Sequence, residues 1–98
     1  MRQITTAEIA KKLQENQSIN IIDVREVEEV ATGKIPNAVN IPLGLLEFRL
    51  NEIDKVGEYI MVCRSGGRSG SATQFLESHG YKAVNMVGGM LDWDGPTE

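Results

Sequence analysis

The apolar positions of this chain change period several times along its length, and each change marks an element. Thr5 followed three residues later by Glu8 is a capping-box pattern. Ile9, Ala10 and Leu13 then share one face, which predicts an amphipathic helix ending near Asn16. Ile19-Asn20-Ile21-Ile22-Asp23-Val24 is short, β-branched and bounded by polar residues, the pattern of a buried strand ending at Asp23 or Val24. Glu26 to Ala31 suits a helical turn, Gly33 to Ala38 has turn chemistry, and Val39-Asn40-Ile41 is a brief strand stopped by Pro42. Leu43 to Ile53 returns to helical spacing through Leu46, Leu50 and Ile53.

Tyr59-Ile60-Met61-Val62 reads as a second buried strand with Cys63 at its carboxyl end. Arg64-Ser65-Gly66-Gly67-Arg68 is a loop, and Ser69 to Ser78 a helix with Ala72, Phe75 and Leu76 on one face and Gly80 as its stop. Ala83 to Val87 is a last strand, followed by Gly88-Gly89 and a short helical piece through Trp93. Strands and helices alternating at these intervals predict an α/β fold, a mostly parallel central sheet flanked by helices, with ligands bound outside the carboxyl ends of the strands. With no repeat, low-complexity tract or Pro/Gly/Ser-rich linker, residues 1–98 read as one domain.

Composition narrows the partners. At 41% hydrophobic and 24% charged, the chain has too much apolar content for disorder. A net charge of -4 and a pI of 5.0 argue against general binding of nucleic acid or an anionic membrane, so any anion site must be local. No apolar run approaches the roughly 20 residues that span a bilayer, and the first residues lead into an amphipathic segment rather than a signal-peptide core, which predicts a cytoplasmic protein. The single cysteine permits neither an intrachain disulfide nor a cysteine-based metal cluster and suits a reducing compartment. His79 is the only histidine and no spaced His/Asp/Glu cluster accompanies it, so no metal is expected. The chain lacks G-x-G-x-x-G and Walker spacing, so no nucleotide cofactor is expected either.

The stretch Val62-Cys63-Arg64-Ser65-Gly66-Gly67-Arg68-Ser69 joins a strand end, a thiol, two glycines, two arginines and a helix start. Adjacent glycines can enter positive-φ conformations, so successive N–H groups turn inward as an anion-binding nest, and the following helix adds its positive end. A thiol at the rim of such a nest shifts from about 8.5 into the range of about 3.5–7.5 and reacts as thiolate. The same donors would stabilise negative charge on a sulfur bound to Cys63, and Arg64 and Arg68 would draw in a dianion. Gly66-Gly67 alone would fit a tight turn and Arg64 alone a solvated surface charge; an ordinary buried thiol has no use for the combination. His79, beside Gly80 at a helix end, is favoured by the helix dipole and is given no catalytic role.

Four separated motifs resemble the rhodanese family of sulfurtransferases, in order over nearly the whole chain. Asp23-Val24-Arg25-Glu26 resembles its DVR-E segment, Gly33 to Pro42 its GHIPGAxNIP stretch, Cys63 to Ser69 its active loop, and Gly88-Gly89-Met90-Leu91-Asp92-Trp93 its closing GG-W segment. The resemblance implies a small rhodanese-like domain in which Cys63 is the nucleophile and Arg64, Ser65, Gly66, Gly67 and Arg68, with Ser69 at the helix start, surround a persulfide. It further implies a ping-pong reaction: the thiolate takes sulfur from a donor such as thiosulfate, sulfite leaves, and cyanide or a thiol removes the sulfur. The acceptor would be a thiol or dithiol, such as thioredoxin or another sulfur-relay protein, and no cofactor is needed.

Asp23 and Arg25 are better read as a buried pair bracing the loop than as substrate contacts, and Trp93 as core. Lys34 stands where the family usually has histidine and Asn37 where it usually has glycine, departures that bear on the turn and on partner choice rather than on the chemistry. Two other readings remain: a cysteine-loop phosphatase or arsenate reductase, and a docking or sulfur-delivery module with little turnover. Four residues separate Cys63 from Arg68, one fewer than in the related phosphatases, and the presence of the cysteine with both arginines speaks for an enzyme.

Overall fold

Five short strands form one sheet in the computed structural model, which describes residues 1–98. They are β1 (Gln3–Ile4), β2 (Asn20–Asp23), β3 (Val39–Asn40), β4 (Glu58–Val62) and β5 (Lys82–Met86), in the spatial order β1-β5-β4-β2-β3. Every pairing is parallel, so each strand must be reached by a crossover. The crossovers contain α1 (Thr6–Gln14), α2 (Val27–Val30), a 3₁₀ segment (Leu43–Glu52) and α3 (Gly67–Ser78), and a second 3₁₀ turn (Gly89–Asp92) follows β5.

Side-chain alternation along the strands divides the apolar residues into two cores. Ile22, Met61 and Ala83 face α3 and the long 3₁₀ segment, through Ala72, Leu76, Leu46 and Ile53. Ile21, Ile60, Val62 and Met86 face the other way, onto Ile9 of α1, Ile35, Ala38 and Trp93. Connections that step toward β3 thus cover one face and those that step toward β1 the other, as right-handed crossovers require. The direction reverses between β2 and β4, opening a crevice at their carboxyl ends. There Asp23 lies opposite Val62, and the Val24 N–H donates to the Val62 carbonyl at 2.8 Å.

Local chemistry explains the boundaries. The Thr5 hydroxyl accepts the Glu8 N–H at 3.1 Å while the Glu8 carboxylate accepts the Thr5 N–H at 3.4 Å, closing the capping box, and Asn16 leaves α1 in the left-handed region at φ 58°. The sheet is parallel throughout, and its edge strand β1 is too short for periodicity to reveal. Leu43–Glu52 is a 3₁₀ segment kinked at Arg49 rather than one α-helix. Leu46 and Ile53 are buried at the expected positions, but spacings of three and four over so few turns suit either helix. Helix α3 begins at Gly67, two residues before the expected start, because Gly66 makes the turn into it.

Candidate active site

Cys63 leaves β4 on the face it shares with Met61, beneath α3, and is 1% exposed. The Gly66 N–H donates to its Sγ at 3.0 Å, and the Ser69 Oγ lies 3.3 Å from the same atom. Gly66 has φ 108°, which folds the chain back over the sulfur and starts α3 directly. Gly67 behaves differently from expectation: it is the first helical residue, outside the left-handed region, and a Cβ there would meet nothing. One glycine, not two, makes the turn. Burial pushes the Cys63 thiol up, but the Ser69 hydroxyl and the peptide N–H groups of Ser69, Gly66 and Ser65 outweigh it, so the thiol is more acidic than an ordinary cysteine.

Two ion pairs frame this loop. Asp23 and Arg25 are both buried; Arg25 donates from Nε and NH2 to the carboxylate at 2.8–3.1 Å, and its own backbone N–H adds a 3.1 Å bond. The same guanidinium reaches the carbonyls of Glu29 at 3.3 Å and Gly33 at 2.8 Å, fastening α2 and the next turn to the end of β2. Asn40 closes this corner by donating to the carbonyls of Asp23 and Arg25, each at 2.9 Å. Arg68, which the sequence places around the sulfur, is engaged by Glu29 in this structure. Its NH1 and NH2 grip the Glu29 carboxylate at 2.6 and 2.8 Å. The Arg68 hydrogen bonds, with the Glu26 N–H, hold the Glu29 carboxyl down at about 2. Arg68 and a Cys63 thiolate still attract each other, but at a distance. Arg64 is exposed, without a carboxylate partner, on a cleft of about 430 Å³ between α2 and the second 3₁₀ turn.

That second turn clamps the loop from outside. The Met90 N–H donates to the Cys63 carbonyl at 2.9 Å and the Leu91 N–H to the Arg64 carbonyl at 3.0 Å. Such an approach needs Gly89: φ is 58°, and a Cβ would collide with the Arg64 carbonyl and lie 2.6 Å from the Ser65 nitrogen. Ser65 itself is exposed and contributes its peptide N–H. The sequence reading gave no such role to Glu29, Asn40 or Gly89, or to Asn85, whose amide Nδ2 donates to the Gly66 carbonyl at 3.2 Å; Asn40 and Gly89 carried a local signal, one inside the Gly33–Pro42 motif and the other as half of a Gly-Gly pair.

Residues 6–95 match the family described as the rhodanese-like domain. The chain belongs to that family. This rhodanese-like domain is 42% identical over 98 residues to "Putative sulfurtransferase YtwF" of Bacillus subtilis (strain 168), with 100% of this chain and 95% of that protein covered. It is 42% identical over 97 residues to "Putative sulfur carrier protein YrkF" of the same organism, covering 98% of this chain and 52% of that protein. The crystal structure of a rhodanese-like domain protein from Staphylococcus aureus superposes with a TM-score of 0.94 at 42% identity, covering 100% of this chain and 97% of that one. Sulfur transfer or carriage is the class of chemistry that accompanies this membership.

The two departures from the usual rhodanese pattern have local explanations. Asn37 sits at φ 68°, a conformation that suits glycine and that asparagine tolerates better than other side chains. Its N–H donates to the Glu98 carboxylate at 2.7 Å, and Lys34 pairs with the same carboxylate at 3.4 Å. Trp93 packs in the second core and donates from Nε1 to the Pro96 carbonyl at 2.9 Å. His79 caps α3, its Nδ1 2.9 Å from the Phe75 carbonyl, away from the thiol.

Two outcomes follow from this geometry. Gly89→Ala combines a left-handed φ with a backbone collision and should destabilise the domain by more than about 1 kcal/mol, whereas Gly67→Ala should be neutral or stabilising by about 0.4–1 kcal/mol. Urea unfolding of the two variants measures both, and equal effects would contradict the clamp. Because the Glu29 carboxyl is lowered from 4.5 to about 2, its pairing stabilises the fold fully above pH 4.5 and is lost as pH falls through 2. The stability gap between the wild type and Glu29→Gln should therefore be widest near neutral pH and close in that acid window, as denaturation at several pH values would register.

Proposed function

We propose that this rhodanese-like domain is a sulfurtransferase that takes sulfane sulfur from thiosulfate onto Cys63 and passes it to a thiol or to cyanide. The observation that carries this reading is a buried Sγ hydrogen-bonded by a turned-in peptide N–H and a hydroxyl, at the carboxyl end of the central strand. Those donors serve charge on sulfur and supply no general base, so the nucleophile must arrive ionised.

In the first half-reaction the Cys63 thiolate attacks the outer sulfur of thiosulfate. A new S–S bond forms, the old one breaks, and its electron pair leaves with sulfite. Negative charge then resides on the outer sulfur of the Cys63 persulfide, where the peptide N–H groups of the loop would serve as donors. In the second half-reaction cyanide or an acceptor thiolate attacks that outer sulfur and departs as thiocyanate or as a persulfide, and the electron pair returns to Cys63. The cycle needs no metal, cofactor or external oxidant. Arg64, exposed and without a carboxylate partner on the loop beside Cys63, would receive the dianionic donor, while Arg68 acts by its field from the Glu29 pair. A dithiol protein of the thioredoxin kind or another sulfur-relay partner suits the acceptor step, and a reducing, cytoplasmic setting suits a thiol that must stay free. No helix is long and apolar enough to cross a membrane.

Incubation with thiosulfate should add one sulfur atom to the intact mass of the native chain, removable by cyanide, and none to Cys63→Ser. No gain on the native chain would overturn the reading, and a phosphate-ester assay would then test the phosphatase alternative. Arg64→Ala should weaken thiosulfate use by roughly tenfold, the loss of one contact to a charged group, while leaving the cyanide step from preformed persulfide little changed. Steady-state kinetics with each substrate varied in turn separates the two effects.

A further inference from the structure

Behind the sulfur, a short chain of side chains runs from Cys63 into β5. The Ser69 Oγ, fully buried, lies 3.3 Å from the Cys63 Sγ and 2.5 Å from the Asn85 Oδ1. Asn85 is 4% exposed, and its Nδ2 donates to the Gly66 carbonyl at 3.2 Å. A carbonyl only accepts, so the amide nitrogen must face Gly66 and the amide oxygen must face Ser69. Asn85 therefore offers Ser69 an acceptor, and so does an ionised sulfur.

A hydroxyl carries one proton. While Cys63 is a neutral thiol, its S–H can donate to the Ser69 Oγ and Ser69 can donate to Asn85, which satisfies every group. When the sulfur ionises, it draws the Ser69 proton toward Sγ, and each turn of that proton leaves the Asn85 oxygen buried without its donor, an arrangement with a definite cost. We propose that Asn85 is a positioning residue that competes with the Cys63 sulfur for the single proton of the Ser69 hydroxyl. The pair restrains ionisation of the empty thiol against the pull of the loop's N–H groups. Resting on the persulfide reading above, a consequence follows for the loaded state: once charge moves to an outer sulfur, the hydroxyl returns to Asn85, so the same contact favours the loaded form over the empty thiolate.

The charged groups on the elements that meet the thiol loop are Arg68 on α3, Glu26 and Glu29 at α2, the Asp23–Arg25 pair at the end of β2 and Arg64 on the loop, while β5 contributes the neutral Ala83 and Asn85 on this side. None of these changes when Asn85 is replaced, so a double-variant comparison isolates the hydroxyl. The only cysteine in the chain can be titrated by its alkylation rate against pH, read by intact mass, with no sulfur donor present. Asn85→Leu should raise the acid dissociation constant of Cys63 about threefold to tenfold in the native background and by less than about twofold in Ser69→Ala. An equal change in both backgrounds, no change, or a fall in the native background would overturn the proposal. If Asn85→Leu does not fold, Asn85→Ala in the same two backgrounds gives the same comparison. Failure to load sulfur from thiosulfate would sink the sulfurtransferase reading alone, because the titration involves no transfer.

Discussion

A sulfur atom that is buried and yet more acidic than an ordinary thiol sets the terms for this molecule. Removing a thiolate from water is costly, and here burial does push the thiol up. The Ser69 hydroxyl and the nearby peptide N–H groups, of which that of Gly66 is hydrogen-bonded to the sulfur, reverse that effect, and peptide donors act only while the backbone that carries them is held still. The left-handed Gly66 aims the loop inward, and Gly89 lets the second 3₁₀ turn lie against it closely enough to bind two of its carbonyls. The first glycine makes the nest, and the second keeps it from opening.

The ion pairs divide by burial. Arg2 with Glu58 and Arg49 with Glu52 are largely solvated, and pairs of that kind contribute little. Asp23 with Arg25 is different in kind: with both members buried, every donor and acceptor must be satisfied, and breaking the pair would strand a charge. Its hydrogen bonds to Glu29 and Gly33 carry that rigidity outward to α2, where Glu29 takes hold of Arg68. The central strands, α2 and α3 are thus joined around the thiol by polar contacts as well as by the two apolar cores.

Elements with strong local signatures were legible in the chain itself. The capping box at Thr5, the β-branched run of β2 and the apolar run of β4 ending in a thiol each follow from neighbours in sequence. The two-residue edge strand β1 was not, because its register is set by β5, some eighty residues away. The same distinction explains the site. Cys63, Gly66 and Ser69 lie within one short segment whose composition is unusual, whereas Glu29 and Asn85 look like ordinary polar residues until the fold brings them to the loop. Arg68 was legible as a loop arginine, but not as one whose charge is already matched, since its carboxylate comes from another crossover.

That matching bears on how an acidic protein handles an anion. With Arg68 held by Glu29 and Arg25 by Asp23, most of the positive charge near the thiol is spoken for, and the chain as a whole is negative. Long-range attraction of a dianion would therefore be weak and soon screened. What remains is short in range: an exposed guanidinium at Arg64 and peptide dipoles at Ser65 and Gly66, which act on charge delivered to within a few ångströms of the sulfur. Such a site discriminates by contact rather than by field. In the proposed reaction it would suit a donor that brings its sulfur directly to the loop.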